Sequence, residues 1–119
     1  MKRKAKILRS NASEKRILCI DSDNQAEILA YIKQDKRHLK KFNTIAGIIL
    51  ENLRIPDLYD KENIDKKSKN VTAMKFFKGQ ENDRIYCKEI KDGDTTFIVI
   101  MSVLMERKKN NKLKFRIFV

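Results

Sequence analysis

The dipeptide Asp92-Gly93 constrains the fold of this chain most, because it separates two runs that each resemble a β-strand. The runs are Arg84 to Ile90, which alternates polar and apolar residues, and Thr95 to Met105, which is largely apolar. Asp-Gly between such runs is a strong hairpin signal, because the type I′ turn that joins antiparallel strands needs positive φ at both central positions. We therefore predict an antiparallel hairpin with Asp92 and Gly93 as its central turn residues.

The register of this hairpin determines which side chains share a face of the sheet. A turn at Asp92 and Gly93 places Arg84 opposite Met101, and opposed residues share a face. One face then carries Arg84, Tyr86, Lys88, Phe97, Val99, Met101, Val103 and Met105. The other face carries Ile85, Cys87, Ile98, Ile100, Ser102 and Leu104. Because the second set is uncharged, we expect the helices to pack on it.

Apolar periodicity predicts the other elements. A short apolar run ends at Ile20, and Ser22 and Gln25 behind it have the spacing of a capping box. Apolar residues then recur at steps of three and four, as on a helix, before the period changes to two. The predicted elements are a strand at 16–20, helices at 23–34 and 38–54, a strand at 71–77, the hairpin, and a last strand at 112–119. The expected fold is α+β: an antiparallel (mixed) sheet of about four strands with two helices packed on one face.

Length and local composition set the domain organisation. A chain of 119 residues is the size of one domain and is too small for two independent cores. Residues 1–16 are rich in Lys and Arg and are interrupted by Ser and Asn. We interpret residues 1–16 as a mobile basic lead-in and residues 17–119 as a single domain.

Charge narrows the choice of partner. The chain has 28 Lys and Arg against 16 Asp and Glu, which gives a net charge of +12. Such an excess on a small body favours a nucleic acid or an acidic protein as partner. No run approaches the length of a membrane span and no apolar segment follows the basic start, so we expect a cytoplasmic protein without a membrane partner.

Metal or disulfide chemistry is not expected. Cys19 and Cys87 both lie in apolar runs, where buried thiols are usual. His38 is the chain's one histidine, and we interpret it as a surface or capping residue at the start of a helix. Structural zinc needs about four Cys or His ligands, so the predicted cofactor set is empty.

The face with Arg84, Tyr86 and Lys88 is the candidate binding surface. Arginine grips phosphate with two hydrogen bonds, a tyrosine ring can stack on a base, and lysine adds a positive charge. Continuing the alternation adds Arg107 and Lys109 to this face. The alternative is that these side chains are solvated basic residues on an exposed sheet face.

Three segments within residues 71–112 resemble the RelE/ParE superfamily of bacterial toxins, from type II toxin-antitoxin systems. Met74-Lys75-Phe76-Phe77-Lys78-Gly79 is similar to the family's Lys-Leu-Xaa-Gly strand end, and Arg84-Ile85-Tyr86 is similar to its Arg-Ile-Tyr strand. Met101-Ser102-Val103-Leu104 resembles the family's last apolar strand, and the following segment Glu106 to Lys109, which is rich in Lys and Arg, resembles its basic tail. The order strand, helix, helix, antiparallel sheet adds to the resemblance.

The resemblance implies a RelE/HigB-like mRNA interferase, a metal-independent endoribonuclease that cleaves mRNA on the ribosome. It implies that Lys75 and Lys78 hold substrate or transfer protons, that Arg84 holds phosphate, and that Arg107 stabilises the charge of the transition state. Lys108 competes with Arg107 for that place, and the expected RNA-binding residues are Tyr86, Lys88, Lys108 and Lys109. An acidic antitoxin is the implied protein partner, beside mRNA on the ribosome.

The sequence is also compatible with two other functions. The family's late catalytic tyrosine has no counterpart here, because Leu113 and Phe115 occupy that stretch. A ParE-like toxin that acts on DNA gyrase without cleaving RNA, and a non-catalytic nucleic-acid-binding domain, are both compatible with this departure. The sequence leaves the oligomeric state open.

Overall fold

The computed structural model describes residues 4–61, 70–77 and 83–104. A short 3-10 helix at Ser22–Asn24 precedes the first α-helix. The elements in chain order are β1 (Ala5–Ser10), β2 (Arg16–Asp21), α1 (Gln25–Ile32), α2 (Lys36–Leu50), β3 (Tyr59–Lys61), β4 (Val71–Phe76), β5 (Asp83–Asp92) and β6 (Thr95–Leu104). Neither described helix is long and apolar enough to cross a membrane.

The described strands form one mixed sheet of six strands in the order β1-β2-β6-β5-β4-β3. The pair β2 and β6 is parallel, and the other neighbours are antiparallel. The chain crosses from β2 to the far side of the sheet through α1 and α2, and then returns strand by strand to β6. The expected α+β class with a mixed sheet is confirmed, whereas the expected number of strands is too low.

Both helices pack on the same face of this sheet. Helix α1 buries Ile28, Tyr31 and Ile32, and α2 buries a longer stripe that includes Phe42 and Ile45. They meet the fully buried sheet residues Leu18, Ile20, Met74, Phe76, Ile85, Ile98 and Ile100. Burying each large side chain contributes about 1.5–3 kcal/mol, so this layer supplies most of the stabilisation. The predicted helix-packing face with Ile85, Cys87, Ile98 and Ile100 is confirmed.

The helices differ from the predicted 23–34 and 38–54 at their ends. Asp35 lies between them in extended conformation, and its Oδ1 accepts a hydrogen bond of 2.8 Å from the His38 backbone N–H. This is a helix N-cap, which starts α2 two residues earlier than the apolar pattern indicates. The predicted capping box is not formed, because Asp21 and Asn24 occupy the cap positions and neither makes a side-chain cap hydrogen bond.

The hairpin is present, but its turn lies one residue later than predicted. Asp92 pairs with Thr95, so Gly93 and Asp94 are the central residues. Gly93 has a φ of +61°, and Asp94 has no positive φ. That pattern belongs to a type II′ turn, which takes glycine first, rather than to the type I′ turn expected from Asp-Gly. Lys88 therefore opposes Val99 and not Phe97.

A β-bulge in β6 changes the register a second time. Cys87 pairs with Ile100 and Tyr86 with Ser102, so Met101 is skipped. Moving the turn by one residue shifts each cross-strand partner by two residues and so preserves the faces, but a skipped residue reverses them beyond Met101. Ser102 accordingly lies on the same face as Tyr86, and Val103 packs with the main core. Both assignments are opposite to the prediction, and Arg84 opposes Leu104 instead of Met101.

The edges of the sheet contain the strands that the sequence analysis missed. The predicted lead-in over residues 1–16 is partly wrong, because Ala5–Ser10 is strand β1 and pairs antiparallel with β2. Strand β3 is three residues long and pairs with β4. It lies between the predicted helix at 38–54 and the predicted strand at 71–77, where no element was predicted. The predicted strand at 112–119 lies outside the described residues.

Candidate nucleic-acid interface

The sheet face away from α1 and α2, which we call the distal face, carries the expected mixture of basic and apolar side chains. Cys19, Val99 and Met101 form one small apolar cluster, and Val71, Ala73 and Tyr86 form another. Lys88 opposes both Val71 and Val99, and Tyr86 opposes Ala73, so Arg84, Tyr86 and Lys88 alternate onto this face. The prediction that these three residues share a face with Phe97, Val99 and Met101 is confirmed.

Lys75 and Arg84 are brought together by the pairing of β4 with β5. They are directly opposed across the two strands, and both are half-buried. Opposed residues have Cβ atoms about 4.5–5.5 Å apart, and like charges at such positions repel each other. A guanidinium can bind an anion with two hydrogen bonds, and an ammonium beside it adds a second positive charge. This pair is therefore the arrangement on the distal face whose chemistry best suits a phosphate.

The other predicted site residues have different outcomes. Tyr86 lies on the distal face, but its side chain is only 4% exposed and packs in the cluster with Val71 and Ala73. A buried ring presents no surface to a base, so the stacking role predicted for Tyr86 is wrong for this arrangement. Lys88 is half-buried beside Val99 and keeps its predicted place. The remaining candidates, Lys78, Arg107, Lys108 and Lys109, lie outside the described residues.

A pocket of about 200 Å³ opens on the distal face between β1, β5 and β6. Its lining consists of Lys4, Ala5, Asp21, Lys88, Ile90, Val99 and Met101. The pocket depends on β1 and on the bulge at Met101, and neither is apparent from the sequence pattern. Sequence reasoning missed it for that reason, although it did place Lys88, Val99 and Met101 on one face.

His38 is buried, which excludes the surface role predicted as one alternative, whereas its contacts with the N-cap residue Asp35 fit the capping alternative. Its ring Nδ1 lies 2.7 Å from Asp35 Oδ1, and edge-to-face ring contacts join it to Tyr31 and Phe77 at 5.0 and 4.9 Å. The hydrogen bond from the His38 backbone, followed by the contact with its ring, lowers the pKa of the Asp35 carboxyl below its ordinary value. The spacing Asp-x-x-His before an apolar stripe was the available signal for this cap.

Phe77 joins this aromatic group to the basic start of α2. The guanidinium of Arg37 lies 3.8 Å from the centre of the Phe77 ring, and Lys41 Nζ lies 5.7 Å from it. Phe77 has a φ of +52°, an uncommon conformation for an aromatic residue. Arg37 is thus a cation that packs on an aromatic ring at the end of β4.

A second polar cluster lies on the helix side of the sheet. The Tyr59 hydroxyl donates to Glu89 Oε2 at 2.6 Å and accepts from Thr72 Oγ1 at 2.6 Å. Burial is the main reason that the pKa of the Tyr59 hydroxyl is raised, with Cys87 and Glu89 adding to it. These groups border a cavity of about 360 Å³ next to the end of α2. The cluster links β3, β4 and β5.

A buried hydrogen bond attaches α1 to the start of β5. The Tyr31 hydroxyl donates to Asp83 Oδ2 at 2.8 Å, and both side chains are buried. Asp83 immediately precedes Arg84 in the chain, so this contact fixes the backbone from which the guanidinium of Arg84 extends. A helix residue on one side of the sheet thereby supports the candidate site on the other.

The cysteines and acidic residues give no sign of metal chemistry in the part of the chain that is described. Cys19 and Cys87 are free, buried thiols, as predicted. Burial raises the pKa of both thiols, and the charge of Glu89 adds to the effect at Cys87. Within residues 4–61, 70–77 and 83–104, no group of three His, Cys, Asp or Glu side chains is arranged to hold a metal ion.

Comparison with known proteins identifies no relative: no protein-family model, curated protein or solved structure matches this chain.

Proposed function

We propose that the protein is a RelE-type toxin that cleaves mRNA on the ribosome, and that the distal face of its sheet is the RNA-binding surface. The observation that carries the proposal is the direct opposition of Lys75 and Arg84 on β4 and β5. Both residues belong to the motifs on which the RelE/ParE resemblance rests. Two adjacent cations on the sheet face opposite α1 and α2 suit an extended phosphate backbone.

The order of the elements also supports the proposal. The resemblance expects a strand, two helices and an antiparallel set of strands, and β2, α1, α2, β4, β5 and β6 follow that order. Strands β1 and β3 extend the two edges of this unit. A fold alone does not determine a function, so the proposal rests on Lys75 and Arg84, the basic residues that the fold brings together.

The proposed reaction is attack of the RNA 2′-oxygen on the adjacent phosphorus. The bond between the 2′-oxygen and phosphorus forms, the bond to the 5′-oxygen breaks, and the 2′-hydroxyl proton passes to a base while the leaving oxygen gains a proton. Arg84 holds the phosphate, and its fixed charge opposes the developing negative charge. Lys75 lies beside it as a second cation and as a candidate for proton transfer. Lys78 and Arg107 complete the proposed set, with Lys108 as the alternative to Arg107.

The buried ring of Tyr86 favours a second candidate function. Tyr31 and Tyr59 both lie on the helix side, so the described distal face offers no exposed tyrosine to the reaction. A surface that binds phosphate without cleaving it fits a non-catalytic nucleic-acid-binding domain or a ParE-like toxin directed at gyrase. In all three cases an acidic antitoxin or another polyanion is the expected partner of a chain with a net charge of +12.

Induction of the protein in cells separates these functions. The nuclease proposal expects new mRNA 5′ ends inside coding regions and unchanged plasmid supercoiling. Replacing Arg84 with Ala should abolish the new ends, whereas Arg54→Ala, the same exchange beyond the end of α2, should not. Altered supercoiling without new mRNA ends would contradict the nuclease and favour the gyrase-directed alternative. If neither new mRNA ends nor altered supercoiling appears, the non-catalytic nucleic-acid-binding domain is the remaining candidate.

A further inference from the structure

We propose that the cavity of about 360 Å³ beside the end of α2 binds a free α-amino acid with an aliphatic side chain. The guanidinium of Arg16 binds the α-carboxylate, the carboxylate of Glu89 binds the α-ammonium, and Ile48 and Leu53 contact the side chain. The cavity lies on the helix side of the sheet, opposite the distal face. This site is therefore independent of the proposed RNA cleavage.

Arg16 and Glu89 point to the same side of the sheet from the two strands that flank β6. Arg16 pairs with Thr96 of β6, and Glu89 pairs with Ile98 of the same strand. Two strand spacings of about 4.8 Å and an offset of about 6.7 Å along β6 place their Cα atoms roughly 12 Å apart. No ion pair joins the two side chains, although both line the cavity. The space between a guanidinium and a carboxylate at this separation accommodates a small zwitterion.

The guanidinium of Arg16 is held in place by the end of α2. Its Nε donates a hydrogen bond of 2.6 Å to the backbone oxygen of Ile49. No described residue accepts a hydrogen bond from Nη1 or Nη2, and the side chain is only partly buried where it lines the cavity. These terminal N–H groups lie in the fixed plane of the guanidinium, so they can bind both oxygens of a carboxylate.

The carboxylate of Glu89 is oriented by a chain of hydrogen bonds. Thr72 Oγ1 donates to the Tyr59 hydroxyl, and this hydroxyl donates to Glu89 Oε2, both at 2.6 Å. No described residue donates to Oε1, and the Glu89 side chain is only partly buried where it lines the cavity. Because an ionised carboxylate accepts hydrogen bonds and donates none, Oε1 suits the N–H groups of an ammonium.

The charges around the cavity favour a zwitterion over a simple ion. The lining contains three cationic residues, Arg16, Arg54 and Lys61, and two anionic residues, Asp60 and Glu89. Arg54 and Lys61 are exposed and keep their charges in water. A simple anion would be repelled by Glu89, and a simple cation would be repelled by Arg16. A ligand with one charge of each sign avoids both repulsions.

The apolar part of the lining selects an aliphatic side chain. Leu53 is 56% exposed, and Ile48, which also lines the cavity, is 7% exposed. An aliphatic group placed against Leu53 removes apolar surface from water, which is favourable. The cavity volume of about 360 Å³ lies near the lower end of the roughly 300–1,000 Å³ range of small-molecule sites, so the cavity suits an amino acid better than a larger ligand.

Isoleucine-methyl NMR on the full-length protein tests the location. Ile48 lines the cavity, whereas Ile28 is fully buried on α1 and does not line it, so the two residues form an internal pair of probe and control. Titration with L-leucine up to its solubility limit should shift the Ile48 methyl signal and leave the Ile28 signal in place. Substitution of each isoleucine by Val assigns the signals. An unmoved Ile48 signal, or equal shifts of both signals, would overturn the proposal.

Two analogues of leucine test the charge complementarity in the same titration. Leucinamide keeps the ammonium and lacks the carboxylate, whereas N-acetyl-leucine keeps the carboxylate and lacks the ammonium. Each should bind about tenfold or more weakly than L-leucine, the lower end for the loss of a hydrogen bond to a charged group. N-acetyl-leucine bound as tightly as L-leucine would show a simple anion site, and leucinamide bound as tightly would show that Arg16 is not used. Either result would refute the proposal.

Glu89→Gln separates ligand binding from a structural role of Glu89. The amide oxygen of Gln can still accept from the Tyr59 hydroxyl, but it carries no charge for the ammonium. Affinity for L-leucine should fall about tenfold, while affinity for N-acetyl-leucine should not fall. Glu51→Gln, the same exchange at the C-cap of α2 and outside the cavity lining, should leave the affinity for L-leucine unchanged.

Equal affinity of Glu89→Gln and the parent protein for L-leucine would contradict the assigned role of Glu89. If Glu89→Gln does not fold, the comparison of L-leucine with its two analogues on the parent protein decides the question.

Discussion

Removing the Tyr31 hydroxyl tests how firmly α1 is attached to the start of β5. The hydroxyl donates to Asp83 Oδ2 at 2.8 Å, and the two side chains are 5% and 0% exposed. A hydrogen bond to a charged acceptor contributes about 1.5–3 kcal/mol, and water cannot readily replace a donor at this depth. The ring contacts of Tyr31 are kept in Tyr31→Phe. We therefore expect the free energy of unfolding to fall by about 2 kcal/mol.

Urea unfolding followed by circular dichroism measures this loss. With a slope of about 2 kcal/mol per molar urea for a chain of this size, the midpoint should fall by about 1 M at constant slope. The exposed hydroxyl of Ser13 bonds only locally to Asn11, so Ser13→Ala is a matched control that should stay within about 0.5 kcal/mol of the parent.

A double-mutant cycle assigns the effect to the contact itself. Tyr31→Phe and Asp83→Asn should show a coupling energy of about 1 kcal/mol, because each substitution removes part of the same hydrogen bond. A destabilisation by Tyr31→Phe below about 0.5 kcal/mol, or additivity of the two substitutions, would refute the reasoning that this bond fixes the backbone next to Arg84.

Three further predictions concern the turn, the helix cap and the thiols. Gly93→Ala should destabilise the protein by about 1–2 kcal/mol because Gly93 has a φ of +61°, whereas Gly47→Ala in α2 should stabilise it by up to about 1 kcal/mol. Neither added Cβ would have another atom within 4 Å, so the difference comes from the backbone conformation. Thermal unfolding should show stability changes of opposite sign, and changes of the same sign would contradict this prediction. The Asp35 carboxyl has a lowered pKa in the folded protein, so its contribution is present above its ordinary value near 3.8 and is lost as pH falls through the folded value. Asp35→Asn, which can still cap the helix, should therefore lose less stability between about pH 5 and pH 2 than the parent, and identical acid profiles would speak against this role. Cys19 and Cys87 are buried with raised pKa, so a thiol reagent should modify them only as fast as the protein opens, and rapid reaction of the native protein would show that this burial is wrong.

The elements that local periodicity defines could be predicted from the sequence. The stripe that includes Phe42 and Ile45 identifies α2, and the apolar alternation around Asp92-Gly93 identifies β5 and β6. The faces near the turn are also correct, because the one-residue shift of the turn moves each cross-strand partner by two residues and leaves the alternation unchanged. Arg84 and Lys88 could be placed on one face for the same reason, whereas the place of Lys75 beside them follows from the pairing of β4 with β5.

The features that sequence reasoning missed depend on contacts between distant segments. Every residue of strand β1 is classed as exposed, so none belongs to the core, and the segment forms a strand by pairing with β2. The bulge at Met101 is held by Asn24, 77 residues away in the chain. Tyr86 matched the pattern for an RNA-stacking residue, but its burial is set by neighbours on β4. These are effects of tertiary packing, which residue patterns do not contain.

Single-turnover cleavage of mRNA on programmed ribosomes tests the central claim most directly. The parent protein should cleave, and Arg84→Ala and Lys75→Ala should each slow the cleavage step on the order of 100-fold, the effect of removing one group that stabilises transition-state charge. Arg54→Ala and Lys61→Ala, the same exchanges on the helix side of the sheet, should stay within about twofold of the parent. Cleavage at the parent rate by all four variants, or no cleavage by the parent protein, would contradict the assignment of the Lys75–Arg84 pair as the centre of an RNA-cleaving site.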